Sequence, residues 1–254
     1  MKNLKNIVLL IDADNTQLSK LEGVIREIST HGRIVVKRAY GNWKKDILKN
    51  WENELKRLAI KAEQQFDYVT GKNATDMALV IDAINLLHKG IYDAFVIVAS
   101  DSDYTPLAIS LHESGVYVMG VGEKKTPESF RNSCDEFVFL ENISGNADEK
   151  EAGETRAKDG GEGAKDTQEE NMAVVHSLLR AAFDKYQDDD GYANIAPVGS
   201  FIKRVKPDFD VRTFGYMKLP KLIEDFPDKY EMKRYPGRGT VTIVAYRCKE
   251  SAPR

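Results

Sequence analysis

Within residues 1–142, short runs of β-branched and other apolar residues alternate with stretches in which apolar side chains recur at helical spacing. The apolar runs are Ile7–Ile11, Ile34–Val36, Phe66–Thr70, Phe95–Ala99, Val116–Val121 and Phe137–Leu140. Such runs, with few polar residues between the apolar ones, indicate strands buried on both faces, as in a parallel sheet covered by helices. The alternation predicts an α/β fold with a doubly wound parallel sheet, whose active site lies at the carboxyl ends of the strands.

The stretches between these runs predict helices that each bury one face. Apolar residues three or four positions apart share one side of an α-helix, so they identify the face that meets the sheet. The faces predicted in this way are Leu18, Leu21, Ile25 and Ile28; then Trp51, Leu55, Leu58 and Ala62; and then Met77, Val80, Ile81, Ile84 and Leu87.

Residues 143–170 differ in composition from the rest of the chain. They include nine acidic and four basic residues, with Ile143 as the one large aliphatic residue and no aromatic residue. A segment that buries so little apolar area does not offset the conformational entropy lost on ordering. We therefore expect a disordered acidic linker between a first domain, residues 1–142, and a second domain, residues 171–254.

The second domain is expected to contain three helices followed by a β-hairpin. The helices are predicted at about Met172–Lys185, around Val198–Val205 and at about Tyr216–Phe226. The hairpin strands are predicted at Tyr230–Tyr235 and Thr240–Arg247, on either side of the turn P-G-R-G at 236–239. This order predicts a winged helix-turn-helix. The block has 15 basic and 11 acidic residues, which suits a polyanionic partner.

The sequence also predicts the cellular location of the protein. No apolar run approaches the roughly 20 residues that span a bilayer, so we expect no membrane partner. The run Ile7–Ile11 follows Lys2 and Lys5, but it ends at Asp12 and is too short for a signal peptide. The two cysteines, at 134 and 248, lack metal-ligand spacing and are interpreted as reduced thiols, which predicts a cytoplasmic protein.

Acidic residues follow two of the predicted buried strands. Asp12 ends the first strand, and Asp101 and Asp103 follow the strand at Phe95–Ala99. Neighbouring parallel strands lie about 4.8 Å apart, so acids at their matching ends can converge on one ion. Clustered carboxylates repel one another, and a hard divalent cation such as Mg²⁺ or Mn²⁺ is the usual compensation. No cluster of His or Cys in the sequence indicates zinc.

Helix capping is the simpler interpretation of the same residues. Asp14, Asn15, Thr16 and Thr75 are residue types that cap helix N-termini, and Asp76 would favour the helix dipole in a first turn. Two strands that end in acids at one edge of a sheet favour a metal site over capping.

Two known families share parts of this pattern. The string D-A-D-N-T at residues 12–16 matches the first motif of haloacid-dehalogenase-like phosphatases, which would make Asp12 a phosphate-accepting nucleophile and Asp14 the acid/base. That family also needs a later acid pair, which S-D-S-D does not supply well. Three motifs in order resemble the NYN domain, a branch of the PIN-like nucleases, over about residues 5–142. These motifs are I-D-A-D-N (11–15), K-N-A-T-D (72–76) and A-S-D-S-D-Y-T-P-L (99–107).

The NYN resemblance implies a metal-dependent nuclease with a PIN-like, Rossmann-like fold. The metal ligands that it implies are Asp12, Asp76, Asp101 and Asp103. It also implies that Asn15 positions the substrate or a ligand carboxylate. Contacts to the scissile phosphate are expected from Lys72, and from Thr75 or Ser100. Asp82 matches a further family acid but lies about 9 Å beyond Asp76 along the helix, which is far for the same ion.

The second domain resembles the LOTUS or OST-HTH domain. The resemblance is carried by residues 191–203, 206–224 and the closing hairpin. It implies binding of RNA, single-stranded or G-rich, and a helicase or other RNA-processing protein as a partner. The basic residues expected to contact phosphates are chiefly Lys218, Lys221 and Arg234, on the predicted recognition helix and wing. Core packing is expected for Phe209, Phe214, Tyr216 and Leu219.

The sequence therefore predicts a metal-dependent ribonuclease that its own winged-helix domain recruits to RNA. Two alternatives stay open. One is a haloacid-dehalogenase-like phosphatase, and the other is a regulatory RNA-binding adaptor whose acidic site does not turn over.

Overall fold

The computed structural model describes residues 4–66, 73–143, 162–237 and 242–249, with the backbone alone for residues 162–171. The chain divides into two compact units, Met1–Gly153 and Glu154–Arg254. Within the described ranges, no helix is both long and apolar enough to cross a bilayer.

The first unit is a six-stranded parallel sheet with helices on both faces. Its strands are Leu4–Asp12 (β1), Gly32–Gly41 (β2), Lys61–Gln64 (β3), Ala94–Val98 (β4), Tyr117–Gly122 (β5) and Glu136–Phe139 (β6). Its helices are Leu21–Ser29 (α1), Trp51–Arg57 (α2), Ala74–Leu87 (α3), Thr105–Glu113 (α4) and Glu128–Asn132 (α5). The predicted α/β class and parallel sheet are confirmed.

The strand order of this sheet is β3-β2-β1-β4-β5-β6. The chain moves outwards from β1 to β3 and then returns to the centre, where β4 pairs with β1 from Ile7↔Ala94 to Ile11↔Val98. The carboxyl ends of β1 and β4 therefore lie together where the order reverses. Open α/β sheets bind their ligands at this reversal point.

Both faces of the central strands are buried. Leu9 and Ile11 of β1 pack in the core that includes α1 and α2, whereas Val8 and Leu10 pack in the core that includes α3 and α4. Successive side chains of a strand point to opposite faces, so a strand covered on both faces is apolar throughout. This explains the runs without polar alternation in the sequence.

The third strand and the second helix differ from the prediction. β3 covers Lys61–Gln64, whereas the strand was predicted at Phe66–Thr70; Phe66 lies beyond β3, and residues 67–70 lie outside the described residues. α2 ends at Arg57, and Ala59, at φ 51°, turns the chain towards β3. Ala62 therefore belongs to a strand and not to the predicted helical face. β3 is a largely exposed edge strand, so it carries no apolar run that the sequence could reveal.

α3 also presents a different face to the sheet. Leu79, Ala83 and Leu86 are buried, whereas Met77 and Ile81 are 55% and 56% exposed, so the predicted burial of Met77 and Ile81 was wrong. α3 is apolar around most of its circumference, and the spacing alone does not select the side that meets the sheet.

The second unit combines helices with a small antiparallel sheet. The helices are Glu162–Tyr186 (α6), Ile195–Val205 (α7) and Leu219–Glu224 (α8). The strands are Ala193–Asn194 (β7), Tyr230–Pro236 (β8) and Thr242–Cys248 (β9), in the order β7-β9-β8. The predicted order of three helices and a hairpin is confirmed.

Two boundaries of the second unit differ from the prediction. α6 begins at Glu162, ahead of the predicted start at Met172, and so includes the end of the segment predicted to be a linker. Residues 144–161 of that segment lie outside the described residues. α8 is shorter than predicted, because Gly215, at φ 82°, is not helical and Pro220 lies in the first turn of α8.

The core of the second unit surrounds Tyr246. This side chain is fully buried, and its hydroxyl donates to the backbone carbonyl of Leu179 at 2.6 Å. Phe209 is buried in the same core, and Phe214, Tyr216 and Leu219 pack against it. The core packing predicted for these four residues is confirmed.

Candidate active site

Asp12 is the last residue of β1 and is fully buried. Its Oδ2 accepts hydrogen bonds from Asn15 Nδ2 at 2.9 Å and from the Tyr104 hydroxyl at 3.2 Å, and its Oδ1 accepts from the backbone N–H of Asp14 at 3.1 Å. Burial raises the pKa of Asp12 to about 6, although the hydrogen bond from Asn15 opposes this shift. The carboxylate is therefore held in one orientation at the reversal point of the sheet.

Tyr104 joins Asp12 to Asp76. Its hydroxyl lies 2.7 Å from Asp76 Oδ1 and 3.2 Å from Asp12 Oδ2, and its side chain is fully buried. Burial and the two carboxylates raise the pKa of Tyr104, which keeps the phenol protonated. A phenol has one proton to donate, so the two carboxylates share it, with the shorter contact to Asp76. Tyr104 was not among the predicted site residues; the signal for it was an aromatic residue directly after the acids S-D-S-D.

Asp76 lies in the first turn of α3, close to the other acids. Burial raises the pKa of Asp76, the hydrogen bond from Tyr104 opposes this, and the charges of Asp101, Asp103 and Asp14 raise it further. The acids predicted from three separate motifs therefore repel one another at one edge of the sheet. This is the electrostatic situation that a bound cation relieves.

Asp101 and Asp103 follow β4 and have separate hydrogen bonds. Asp101 Oδ1 accepts from the backbone N–H of Asp103 at 3.0 Å, so Asp101 caps the short 3₁₀ turn Ser102–Tyr104. Asp103 Oδ2 accepts from Asn73 Nδ2 at 2.7 Å. Capping thus accounts for one oxygen of Asp101.

The simpler helix-capping interpretation holds for Asp76, which lies in the first turn of α3, but not for the four predicted caps. The N-cap positions of the 3₁₀ turn Leu18–Lys20 and of α3 are Gln17 and Asn73. Neither position is one of the four residues for which the sequence had suggested this role, namely Asp14, Asn15, Thr16 and Thr75.

Asp14, which was not among the predicted metal ligands, also lies at this edge of the sheet. Its Oδ2 accepts from the Thr75 hydroxyl at 3.0 Å and lies 3.3 Å from Lys45 Nζ. Its Oδ1 is buried and, within the described part of the chain, has no hydrogen-bond partner. Lys45 was also missed, because it lies in the loop after β2, outside all three motifs.

Two of the residues predicted to contact the phosphate are hydrogen-bonded within the protein. Thr75 is buried and its hydroxyl is already bonded to Asp14. The Ser100 hydroxyl accepts from the backbone N–H of Glu123 at 3.0 Å. Lys72 lies outside the described residues.

The chemistry of these groups fits a hard divalent cation, although the acids are not gathered around one point. Among the described residues, no three His, Cys, Asp or Glu side chains lie close enough together to form a ready-made metal site. The ligands on offer are carboxylate oxygens, which Mg²⁺ and Mn²⁺ prefer. The unpartnered Oδ1 of Asp14 is an acceptor that a cation would satisfy. Binding therefore requires the mutually repelling carboxylates to draw together.

Asp82 is committed to the sheet. Arg38 Nη1 contacts its two oxygens at 2.7 and 2.5 Å, and the Tyr40 hydroxyl also donates to it. The side chain therefore ties α3 to β2, in agreement with its separation from Asp76 along the helix.

In the second unit, the three basic residues predicted to contact phosphates are exposed, namely Lys218, Lys221 and Arg234. Lys221 lies 3.8 Å from Glu224 and 3.6 Å from Asp225, and Arg234 also pairs with Glu224. Exposed ion pairs contribute about 0–1 kcal/mol, so a polyanion can displace such acids.

Comparison with known families and structures gives two kinds of match. A family model described as NYN domain matches residues 6–141, and one described as OST-HTH/LOTUS domain matches residues 167–242. No curated protein matches the chain. A protein of unknown function from Vibrio parahaemolyticus is 17% identical, with 55% of this chain and 94% of that chain covered and a TM-score of 0.44. An uncharacterized protein from Nitrosomonas europaea is 23% identical, with 41% and 88% covered and a TM-score of 0.30.

Proposed function

Because the chain belongs to the NYN domain family and carries an OST-HTH/LOTUS domain, we propose that it is a metal-dependent ribonuclease that hydrolyses the phosphodiester bonds of RNA. The observation that carries this proposal is the Tyr104 hydroxyl at the reversal point of the sheet, which contacts both Asp12 and Asp76, while the charge of Asp101 acts on Asp76. Capping explains one oxygen of Asp101, but it does not explain the charge repulsion on Asp76 from Asp101, Asp103 and Asp14.

The proposed metal ligands are Asp12, Asp76, Asp101 and Asp103, joined by Asp14 through its unpartnered Oδ1. A bound Mg²⁺ or Mn²⁺ supplies a water of lowered pKa and neutralises charge on the phosphodiester. Asn15 and Tyr104 hold the carboxylate of Asp12 in one orientation. Lys45, already beside Asp14, provides positive charge for the scissile phosphate.

Two other functions remain candidates. A phosphatase would need Asp12 to attack phosphorus, but Asp12 is fully buried and both of its oxygens accept hydrogen bonds, which disfavours that role. An RNA-binding adaptor without turnover is the second candidate, because the acids of the described residues are not gathered into a metal site.

RNA recruitment is assigned to the second unit, as a winged helix-turn-helix. The order α6, α7, α8 and then the β8–β9 hairpin supports this assignment, as do the exposed basic residues on α8 and β8. The proposed ligand is single-stranded or G-rich RNA, and the proposed protein partner is a helicase or other RNA-processing protein. The proposed location is the cytoplasm, where thiols stay reduced, because Cys134 and Cys248 are both free.

A cleavage assay tests the proposed function. The purified chain should cut labelled single-stranded RNA with Mn²⁺ or Mg²⁺ and should leave it intact with EDTA. RNA binding without cleavage under any metal would support the adaptor instead. Hydrolysis of small phosphate esters, with an aspartyl-phosphate trapped at Asp12, would support the phosphatase.

Tyr104→Phe should lower kcat for RNA cleavage about 10- to 100-fold with little change in KM, because the hydroxyl that orients two ligand carboxylates is lost. It should also raise the Mn²⁺ concentration needed for half-maximal rate, a shift that a purely structural residue would not cause. The matched control is Tyr117→Phe, which removes a hydroxyl bonded to Glu136 in the same sheet. Equal rates for the two variants would show that Tyr104 does not position the acids.

A further inference from the structure

The loop after β2 links the acidic edge of the sheet, which comprises Asp12, Asp14, Asp76, Asp101 and Asp103, to an exposed aromatic ring. Lys45 Nζ lies 3.3 Å from Asp14 Oδ2, and Lys44 Nζ lies 5.0 Å from the centroid of the Phe66 ring. Lys44 and Lys45 are consecutive residues. Two consecutive lysines therefore reach, one each, the proposed catalytic acids and Phe66.

Phe66 is 52% exposed and lies two residues beyond the end of the edge strand β3. It follows Gln65, whose backbone N–H donates to the carbonyl of Gly41 at 3.1 Å and so continues the pairing of β2 with β3. Exposure of an aromatic ring to water is unfavourable, at about 25 cal/mol per Å². Lys44 stands over one face of the ring. The exposed remainder is suited to a partner that has a flat ring and negative charge.

The loop is fastened to β3 by Trp43. Its backbone N–H donates to Gln64 Oε1 and its indole N–H donates to the carbonyl of Glu63, both at 3.1 Å. Its ring also packs against Trp51 at a centroid distance of 6.1 Å. These contacts fix where the loop lies relative to Phe66, so binding needs little further ordering.

We propose that Lys44, Lys45 and Phe66, the Phe66 platform, form a subsite for single-stranded nucleic acid; this inference rests on the proposed function. A base stacks on the open part of the Phe66 ring, its neighbouring phosphates lie by Lys44 and Lys45, and the strand continues to the acids. Aromatic stacking tolerates any base, because every base has a π-face. Bases inside a duplex are already stacked on one another, so the platform selects single strands.

The test measures binding without cleavage. The full chain carries Asp12→Asn, together with Lys218→Ala, Lys221→Ala and Arg234→Ala to weaken binding by the second unit. In this background, Phe66→Ala should raise the Kd for a short single-stranded RNA about 5- to 150-fold, whereas Phe66→Trp should keep or improve it. The matched control is Ile91→Ala, which truncates a similarly exposed apolar residue just before β4.

A second measurement separates stacking from a structural effect. One abasic sugar is moved along the RNA, which keeps every phosphate but removes one base. At the stacked position, the abasic RNA should bind the parent and the Phe66→Ala chain equally. The proposal is overturned if Phe66→Ala binds as well as Ile91→Ala, or if its defect persists at every abasic position. Because only Kd is measured, a chain that never cuts RNA would refute the proposed function and leave the platform intact.

Discussion

Asp12→Asn should abolish Mn²⁺-dependent cleavage of RNA, with a fall in kcat/KM of at least about a hundredfold. Loss of a residue that hydrogen-bonds to a metal ligand lowers metal affinity or activity about 10- to 100-fold, and loss of the ligand itself lowers them further. The change removes the charge at the centre of the acidic edge while keeping the size of the side chain. Asp101→Asn should have the same effect on cleavage. The turn Ser102–Tyr104 should be kept, because asparagine caps a helical turn as well as aspartate does.

Both variants should be at least as thermally stable as the parent when no metal is present. The folded state disfavours charge on Asp12, as its raised pKa indicates, and repulsion from Asp76 and Asp14 adds to this. Both oxygens of Asp12 accept hydrogen bonds, so in either orientation the asparagine NH2 group would face a donor, from Asp14 or from Asn15, which limits the gain. The matched control is Asp46→Asn, an exposed acid in the loop after β2. Undiminished cleavage by Asp101→Asn in a folded protein would rule out the assigned ligand set.

Removal of residues 144–254 should raise KM for RNA about tenfold or more while leaving kcat similar. The truncation keeps Ile143, because its side chain is buried in the core of the first unit and its backbone carbonyl accepts a hydrogen bond from Lys20 Nζ. A tethered binding module acts at millimolar effective concentration, so its loss weakens substrate capture without touching the chemistry. A large fall in kcat would instead show that the second unit takes part in the reaction.

The isolated second unit should bind RNA by itself, with an affinity that falls as salt rises. It should begin at Glu162 rather than at Met172, because α6 begins there. Lys218→Ala, Lys221→Ala and Arg234→Ala together should weaken binding about tenfold or more and leave the fold unchanged, since all three side chains are exposed. Lys229→Ala with Lys249→Ala provides a control on other exposed basic residues. No RNA affinity even at low salt would contradict the recruitment model.

The parts of the fold that follow from burial could be predicted from the sequence. β4, β5 and residues 7–11 of β1 are covered on both faces, so these stretches carry no charged residue and the strand bounds were predicted within a few residues. β3 could not be located in this way, because an exposed edge strand is polar. The buried face of α3 also could not be selected, because apolar residues such as Met77 lie on its exposed side.

The candidate site also contains residues that could be predicted from the sequence and residues that could not. Acids at strand ends are visible in the sequence, because the strand pattern fixes where they emerge. Tyr104 and Lys45 reach Asp12 and Asp14 only through the packing of separate segments, and no local spacing reports such contacts.

The acidic edge is assembled from distant parts of the chain, which has a consequence for how the protein is made. The contact between Tyr104 and Asp12 spans 92 residues and needs β4 to dock beside β1. Contacts across long separations form slowly, because the loop between them must lose its entropy first. A nascent chain therefore carries Asp12 and Asp14 well before β4 and Tyr104 exist to complete their surroundings. If the proposed nuclease is correct, its activity stays latent until the chain has been made past residue 104 and β4 has docked.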